Sequence, residues 1–191
     1  MKSIYVFVIF IVVAIAQLFV PAQMIFNRED ILATGKAYKF KTRPMDPSDP
    51  FRGKYITLGF EEDRHFTADS IWQRGEEVYV YLDVDSLGFA EVFRVSKIEL
   101  PDIKKDFVYA KASWYSIYDN ELSIEYPFDR FYMEESKAYD AEVAVQDNQN
   151  AGTLDDVYAL VFIKEGEAVL DDVLIGEVPI KDYVEQRMEG N

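Results

Sequence analysis

The sequence predicts an α+β chain that is mainly β: an N-terminal transmembrane helix followed by a mostly antiparallel β domain with one or two short helices. Three observations predict it. Ile4 to Ala16 is an unbroken apolar run, and Gln17 is the only polar residue between it and Pro21. Beyond residue 36 the periodicity changes to two, as in Ala37-Tyr38-Lys39-Phe40-Lys41-Thr42, which is the pattern of a half-buried strand. Aromatic residues make up 15% of the chain, with 13 Tyr and 14 Phe, rings that fit a pleated surface.

The apolar run sets the first element. A membrane-spanning helix needs about 20 mostly apolar residues. Ile4 to Val20 approaches that length, and Ala22 to Phe26 extends it into the interface. An uncleaved anchor is the first reading, with residues 4–20 in contact with membrane lipid. A cleaved signal peptide with Ala14-Ile15-Ala16 as its exit is the second. A buried soluble helix is the third, and the lack of a polar face opposes it. Lys2 ahead of the run keeps the N-terminus cytoplasmic by the positive-inside rule, so the remainder is expected outside, in a periplasmic position. Residues 1–28 are therefore read as anchor or signal-like segment and 29–191 as an extracytoplasmic domain. Gln17 is either a helix–helix hydrogen-bonding group or an amide tolerated near the interface.

The later elements follow in order. Asn27 to Asp30 reads as a polar break, and Asp30 to Gly35 as one helical turn. Strands are expected at 37–42, 54–60, 78–84, 89–98, 108–115 and 122–126. Arg43 to Gly53, with three prolines, is a loop. Asp85 to Gly88 and Asp119-Asn120 are turns, and 63–74 carries no clear pattern. Glu134 to Val145 is the best helix of the domain, with acids in its first turn. Asp147 to Asp156 reads as an exposed loop. Val157 to Lys164, Glu165-Gly166 and Glu167 to Ile175 form a hairpin signature, and Ile180 to Met188 a short terminal helix.

Charge narrows the function. The first 28 residues hold Lys2 and Arg28 and no acid, so of the formal −15 the rest carries −17. A field of that sign repels phosphate backbones and argues against nucleic acid. The chain has no cysteine and one histidine, His65, which removes thiol chemistry and leaves little for a His-rich metal site.

The most distinctive stretch is Asp46-Pro47-Ser48-Asp49-Pro50-Phe51-Arg52-Gly53-Lys54-Tyr55-Ile56-Thr57-Leu58-Gly59-Phe60. It resembles the GDYXXLXY family, named for a Gly-Asp-Tyr-x-x-Leu-x-Tyr signature. Gly53, Tyr55 and Leu58 match, whereas Lys54 replaces the Asp and Phe60 the final Tyr. Arg130-Phe131-Tyr132-Met133-Glu134-Glu135 is similar to a second family element. The resemblance implies a membrane-anchored, extracytoplasmic protein that neighbours, or is fused to, a polytopic membrane protein. It implies no activity. Arg52, Gly53, Tyr55, Leu58 and Phe60, with Arg130, Tyr132 and Glu134, are thus the motif residues, in a structural or partner-binding role. Tyr55, Thr57 and Gly59 should face one side of a strand and Ile56, Leu58 and Phe60 the other. Arg52 is placed to grip Asp46 or Asp49.

Catalytic candidates are thin. Ser48 and Lys54 form the only local Ser–Lys pair. The acid doublets Glu61-Glu62, Glu134-Glu135, Asp155-Asp156 and Asp171-Asp172 put neighbours on opposite strand faces, a poor arrangement for paired carboxylates. Asp83-x-Asp85 before Gly88 offers oxygen ligands for calcium but lacks the spacing of an EF-hand. Tyr109, Trp114, Tyr115 and Tyr118 are either an aromatic platform or strand-packing residues. No catalytic residue, metal or cofactor is assigned. The expected function is a non-catalytic accessory domain partnering a polytopic membrane protein. Two alternatives are a carboxylate-based hydrolase or carbohydrate-active enzyme, and a ligand- or ion-sensing module.

Overall fold

The computed structural model describes residues 2–43, 55–67, 72–134, 141, 143, 144 and 157–189. It begins with one helix, α1 (Lys2–Thr34), of 33 residues. At 1.5 Å per residue that is about 50 Å, longer than the roughly 30 Å of a hydrocarbon core. From Ile4 to Phe26 its large apolar side chains are exposed, Phe10 at 67% and Phe26 at 72%. The polar break expected at 27–30 does not end it. Arg28, Glu29 and Asp30 are compatible with helix, and the chain turns out only where the Gly35 N–H donates to the Ile31 carbonyl at 2.8 Å. A side chain at Gly35 would sit 2.4 Å from the Ile31 oxygen and 3.1 Å from that of Ile163, so glycine lets strand and helix meet closely.

Two five-stranded antiparallel sheets follow. The first runs β12-β11-β10-β1-β3, with β1 (Lys36–Arg43) between β10 (Val157–Lys164) and β3 (Gly59–Phe60). β11 (Glu167–Ile175) and β12 (Val178–Pro179) complete it. The second runs β4-β8-β7-β5-β6 over Arg64–Phe66, Glu121–Glu125, Phe107–Ser116, Glu77–Val84 and Ala90–Ser96. A two-stranded ribbon joins β2 (Tyr55–Thr57) to β9 (Arg130–Tyr132). α2 (Ile180–Glu189) closes the chain and buries Ile180 and Val184.

Local chemistry explains the turns. Glu165 and Gly166 both have positive φ, 50° and 86°, the backbone of a two-residue hairpin that matches strand twist. Asn120 at φ 53° sits at the β7–β8 tip expected there. The Asp85 carboxylate accepts from the Leu87 and Phe89 N–H groups at 2.8 Å, tying the β5–β6 turn. Ladder slips at Tyr81/Leu82, Ala112/Trp114 and Leu160/Val161 mark bulges, which bend the sheets.

One core serves both sheets. Phe40, Val161 and Val173 from the first meet Val78, Val80, Val108 and Leu122 from the second. Backbone bridges Lys39–Phe89 and Val108–Gly166 stitch the sheets along their margins.

One expected strand needs correction. The strand expected over 54–60 is two strands in different sheets: β2 pairs with β9, the chain crosses at Leu58, and β3 pairs with β1. The segment 63–74 holds a 3-10 turn at its edge, Glu61–Asp63, and then β4. The Glu134–Val145 helix falls mostly outside the described residues; Ala141, Val143 and Ala144 are helical, and the two alanines are fully buried.

Candidate functional site

The far end of β1 carries the site. Arg43 closes that strand, and its Nη2 lies 2.6 Å from Asp63 Oδ2, so the bridge ties the end of β1 to the 3-10 turn Glu61–Asp63 that follows β3. Thr42 strengthens the same end by donating its hydroxyl to the Val157 carbonyl at 2.8 Å. Burial pushes the Asp63 carboxyl up, against the pull of Arg43. Glu62 beside it is also pushed up by burial, while its Oε2 accepts the Val92 N–H at 2.8 Å.

The two motif elements meet in space although some 70 residues separate them in sequence. Tyr55 pairs with Tyr132, Ile56 with Phe131 and Thr57 with Arg130. The Leu58 N–H then donates to the Asp129 carbonyl at 2.8 Å. Alternation sorts the side chains. Ile56, Leu58, Phe60 and Phe131 are buried, and Tyr55, Thr57, Arg130 and Tyr132 look outward. On that outer side the Tyr55 and Tyr132 rings lie 5.4 Å apart, and the Arg130 guanidinium sits 5.2 Å from the Tyr55 ring. The arrangement joins a cation–π contact to two phenols, with Tyr132 63% exposed.

Phe60, where the family signature has Tyr, is in the core. It packs with Phe40, Tyr126 and Phe128 at centroid distances of 5.7, 5.8 and 5.4 Å. Tyr126 and Phe128 stack at 5.0 Å. The buried Tyr126 hydroxyl donates to the Glu62 carbonyl at 2.8 Å, and burial raises its pKa strongly. A phenylalanine at position 60 fills this space without a second hydroxyl to satisfy.

Arg52 and Gly53 lie outside the described residues, as do Asp46, Asp49, Ser48 and Lys54, so the Arg52 grip and the Ser–Lys pair have no described geometry. Glu134 is exposed just past β9. Sequence reasoning missed Asp129 as an acceptor and the Arg43–Asp63 clasp. The alternation of Tyr55 and Tyr132 about apolar neighbours was the one signal that these strands could pair; nothing in the sequence links Arg43 to Asp63.

The Asp83 carboxylate binds Lys105 Nζ at 2.5 Å, and Oδ1 of Asp85 accepts the Leu87 and Phe89 N–H groups, so both calcium candidates make bonds within the fold. Among the described residues no group of three His, Asp or Glu is placed to hold a metal. A cleft of about 410 Å³ is lined by Glu77, Tyr109, Lys111, Glu125, Tyr126 and Glu167 among others. The acids whose pKa is raised, Glu62, Asp63 and Asp172, do not line it. Tyr109 packs on Tyr79 and Phe107 and receives the Gly166 hairpin tip, whereas Trp114 and Tyr118 are 67% and 97% exposed. His65 is half-buried on β4, and burial lowers its pKa.

An apolar helix long enough to span a bilayer, running into an antiparallel β domain clasped at its far end by a Tyr-Ile-Thr/Arg-Phe-Tyr ribbon, defines the class of protein. The chain belongs to the GDYXXLXY family: the family's model, described as GDYXXLXY protein, matches residues 17–173. No curated protein and no solved structure matches the chain.

Proposed function

We propose that the chain is a single-pass, membrane-anchored accessory protein that holds its acidic β domain outside the cytoplasmic membrane, without catalysis, beside a polytopic membrane protein. The carrying observation is the continuity of α1 into the domain. Cleavage after Ala16 would leave Leu18, Phe19, Val20, Met24, Ile25 and Phe26 on a helix attached to the domain, with exposures of 58–72%. Lipid covers such a surface; water does not. The helix is also part of the domain, because Ile31 is buried and Asp30 Oδ2 lies 2.6 Å from Lys164 Nζ. The outward Tyr55–Arg130–Tyr132 face is the motif surface offered to the partner, rigid because the buried half of the same ribbon is in the core.

The test is alkaline carbonate washing of membranes together with intact mass of the recovered chain. Retention of a full-length chain supports the anchor. A soluble species beginning after Ala16 sinks it. Gentle detergent extraction should then yield an assembly larger than the chain, and a monodisperse monomer counts against the partner.

A further inference from the structure

We infer that Gln17 and Pro21 form a polar contact point, within the bilayer, for a transmembrane helix of a different protein. The inference rests on the anchoring reading and deepens it. α1 is continuous from Lys2 to Thr34, so Gln17 is not at the edge of the apolar segment. At 1.5 Å per residue it lies about 20 Å from Ile4 and about 14 Å from Phe26, within the hydrocarbon rather than at its border. Pro21 stands inside the helix, four residues on. Proline has no N–H, so the Gln17 carbonyl loses its helical donor. The Gln17 side chain is exposed and brings two donors and an acceptor of its own to the same depth. Lipid satisfies none of these groups, and an unpaired backbone carbonyl in hydrocarbon is costly.

The position on the helix favours close approach. Ala14, Gln17 and Pro21 follow at spacings of three and four and share one face, on which Ala14 is small. A polar residue beside a small one is the composition of a helix–helix contact in membranes. A second copy of this chain is the poorer occupant. Only Gly35 separates α1 from β1, and Ile31 and the Asp30–Lys164 pair fasten helix to domain. Helices pairing at about 8–10 Å would bring two attached domains together. Each of those domains carries −17 beyond residue 28, and like fields repel. The fitting partner is a helix of another membrane protein that presents a hydroxyl, amide or other hydrogen-bond donor at this depth.

The experiment uses the full-length chain in native membranes. A photoreactive diazirine residue replaces Ala14 on the proposed face or Phe19 on the opposite one, and each variant is tested with and without Gln17→Leu and Pro21→Ala. After irradiation, membranes are washed with carbonate and cross-linked peptides are mapped by mass spectrometry. The expected result is an adduct from position 14 but not 19, joined to a membrane-spanning segment of another polypeptide. Gln17→Leu should lower its yield roughly 3- to 15-fold, the span expected for one interhelical hydrogen bond in lipid. Pro21→Ala, which restores the missing donor, should lower it less. Equal adducts from both faces, a yield indifferent to Gln17→Leu, or an adduct with residues 4–26 of a second copy overturns the inference. Retention in washed membranes with no adduct overturns it alone; release by carbonate overturns the anchoring reading as well.

Discussion

The two ends of β1 are held by different physics. At the helix end the contacts are exposed and ionic: Lys36 with Asp106 at 3.1 Å, Lys164 with Asp30 at 2.6 Å, Lys105 with Asp83 at 2.5 Å. At the motif end the partly buried Arg43–Asp63 pair is joined by a buried aromatic cluster, four mutually touching rings at Phe40, Phe60, Tyr126 and Phe128. Exposed ion pairs contribute about 0–1 kcal/mol each. A buried ring contributes several times that. The family signature therefore sits where stability is concentrated, and burial accounts for Ile56, Leu58 and Phe60 without any appeal to chemistry. The helix end is governed instead by sterics at Gly35 and by the burial of Ile31.

The contrast can be broken by substitution. Phe60→Ala removes a ring from the cluster and should cost about 3–5 kcal/mol, read as a lowered unfolding midpoint of the full chain in detergent. A cost below about 1 kcal/mol would mean that the cluster is not the keystone of the motif end. Gly35→Ala tests the other end. Its methyl would meet two backbone oxygens, so a loss of about 1–3 kcal/mol is expected despite exposed surroundings.

Acid should treat the two ends oppositely. Burial raises the carboxyls of Glu62 and Asp63. Their native forms take up protons more readily than the unfolded chain does, so their contribution is fully present below the ordinary carboxylate range and is lost as pH rises through the native pKa. Asp30 and Asp83 are lowered, chiefly by hydrogen bonds from Lys164 and Lys105. Their contribution is present above the ordinary range and disappears as pH falls through the native pKa. With His65 replaced by Gln, which removes a buried group whose lowered pKa acts the other way near neutrality, the melting midpoint at fixed ionic strength should therefore rise as pH falls toward the ordinary carboxylate range and fall on further acidification below it. Relief of self-repulsion in the acidic domain acts in the same direction over the first range. In that His65→Gln background a monotonic fall with acidification would contradict the burial of Glu62 and Asp63. The smallest effect belongs to Lys164→Ala, which should move the midpoint by no more than about 2 °C, because the pair is exposed.

Much of this was legible from sequence, and the failures have physical causes. The apolar run, the alternation of β1, β5 and β7, and the Glu165-Gly166 turn are local signals, and they read true. The polar residues Asn27 to Asp30 suggest a break, but polarity does not break a helix; the exit at Gly35 does. The stretch 55–60 alternates as one strand would, yet it changes sheets at Leu58, a choice set by Asp129 and Thr42 far away in sequence. The meeting of Tyr55 with Arg130 and Tyr132 is equally non-local. Pairing of that kind is a property of the folded topology, and periodicity in one segment does not encode its partner.

The central claim is that α1 stays in lipid with the β domain beyond it on the outer side. Protease added to intact spheroplasts that express the chain with a C-terminal tag measures this most directly. The account predicts loss of the tag and the β domain, with an N-terminal fragment protected in carbonate-washed membranes. A tag that survives until the membrane is lysed would place the domain in the cytoplasm and contradict the account.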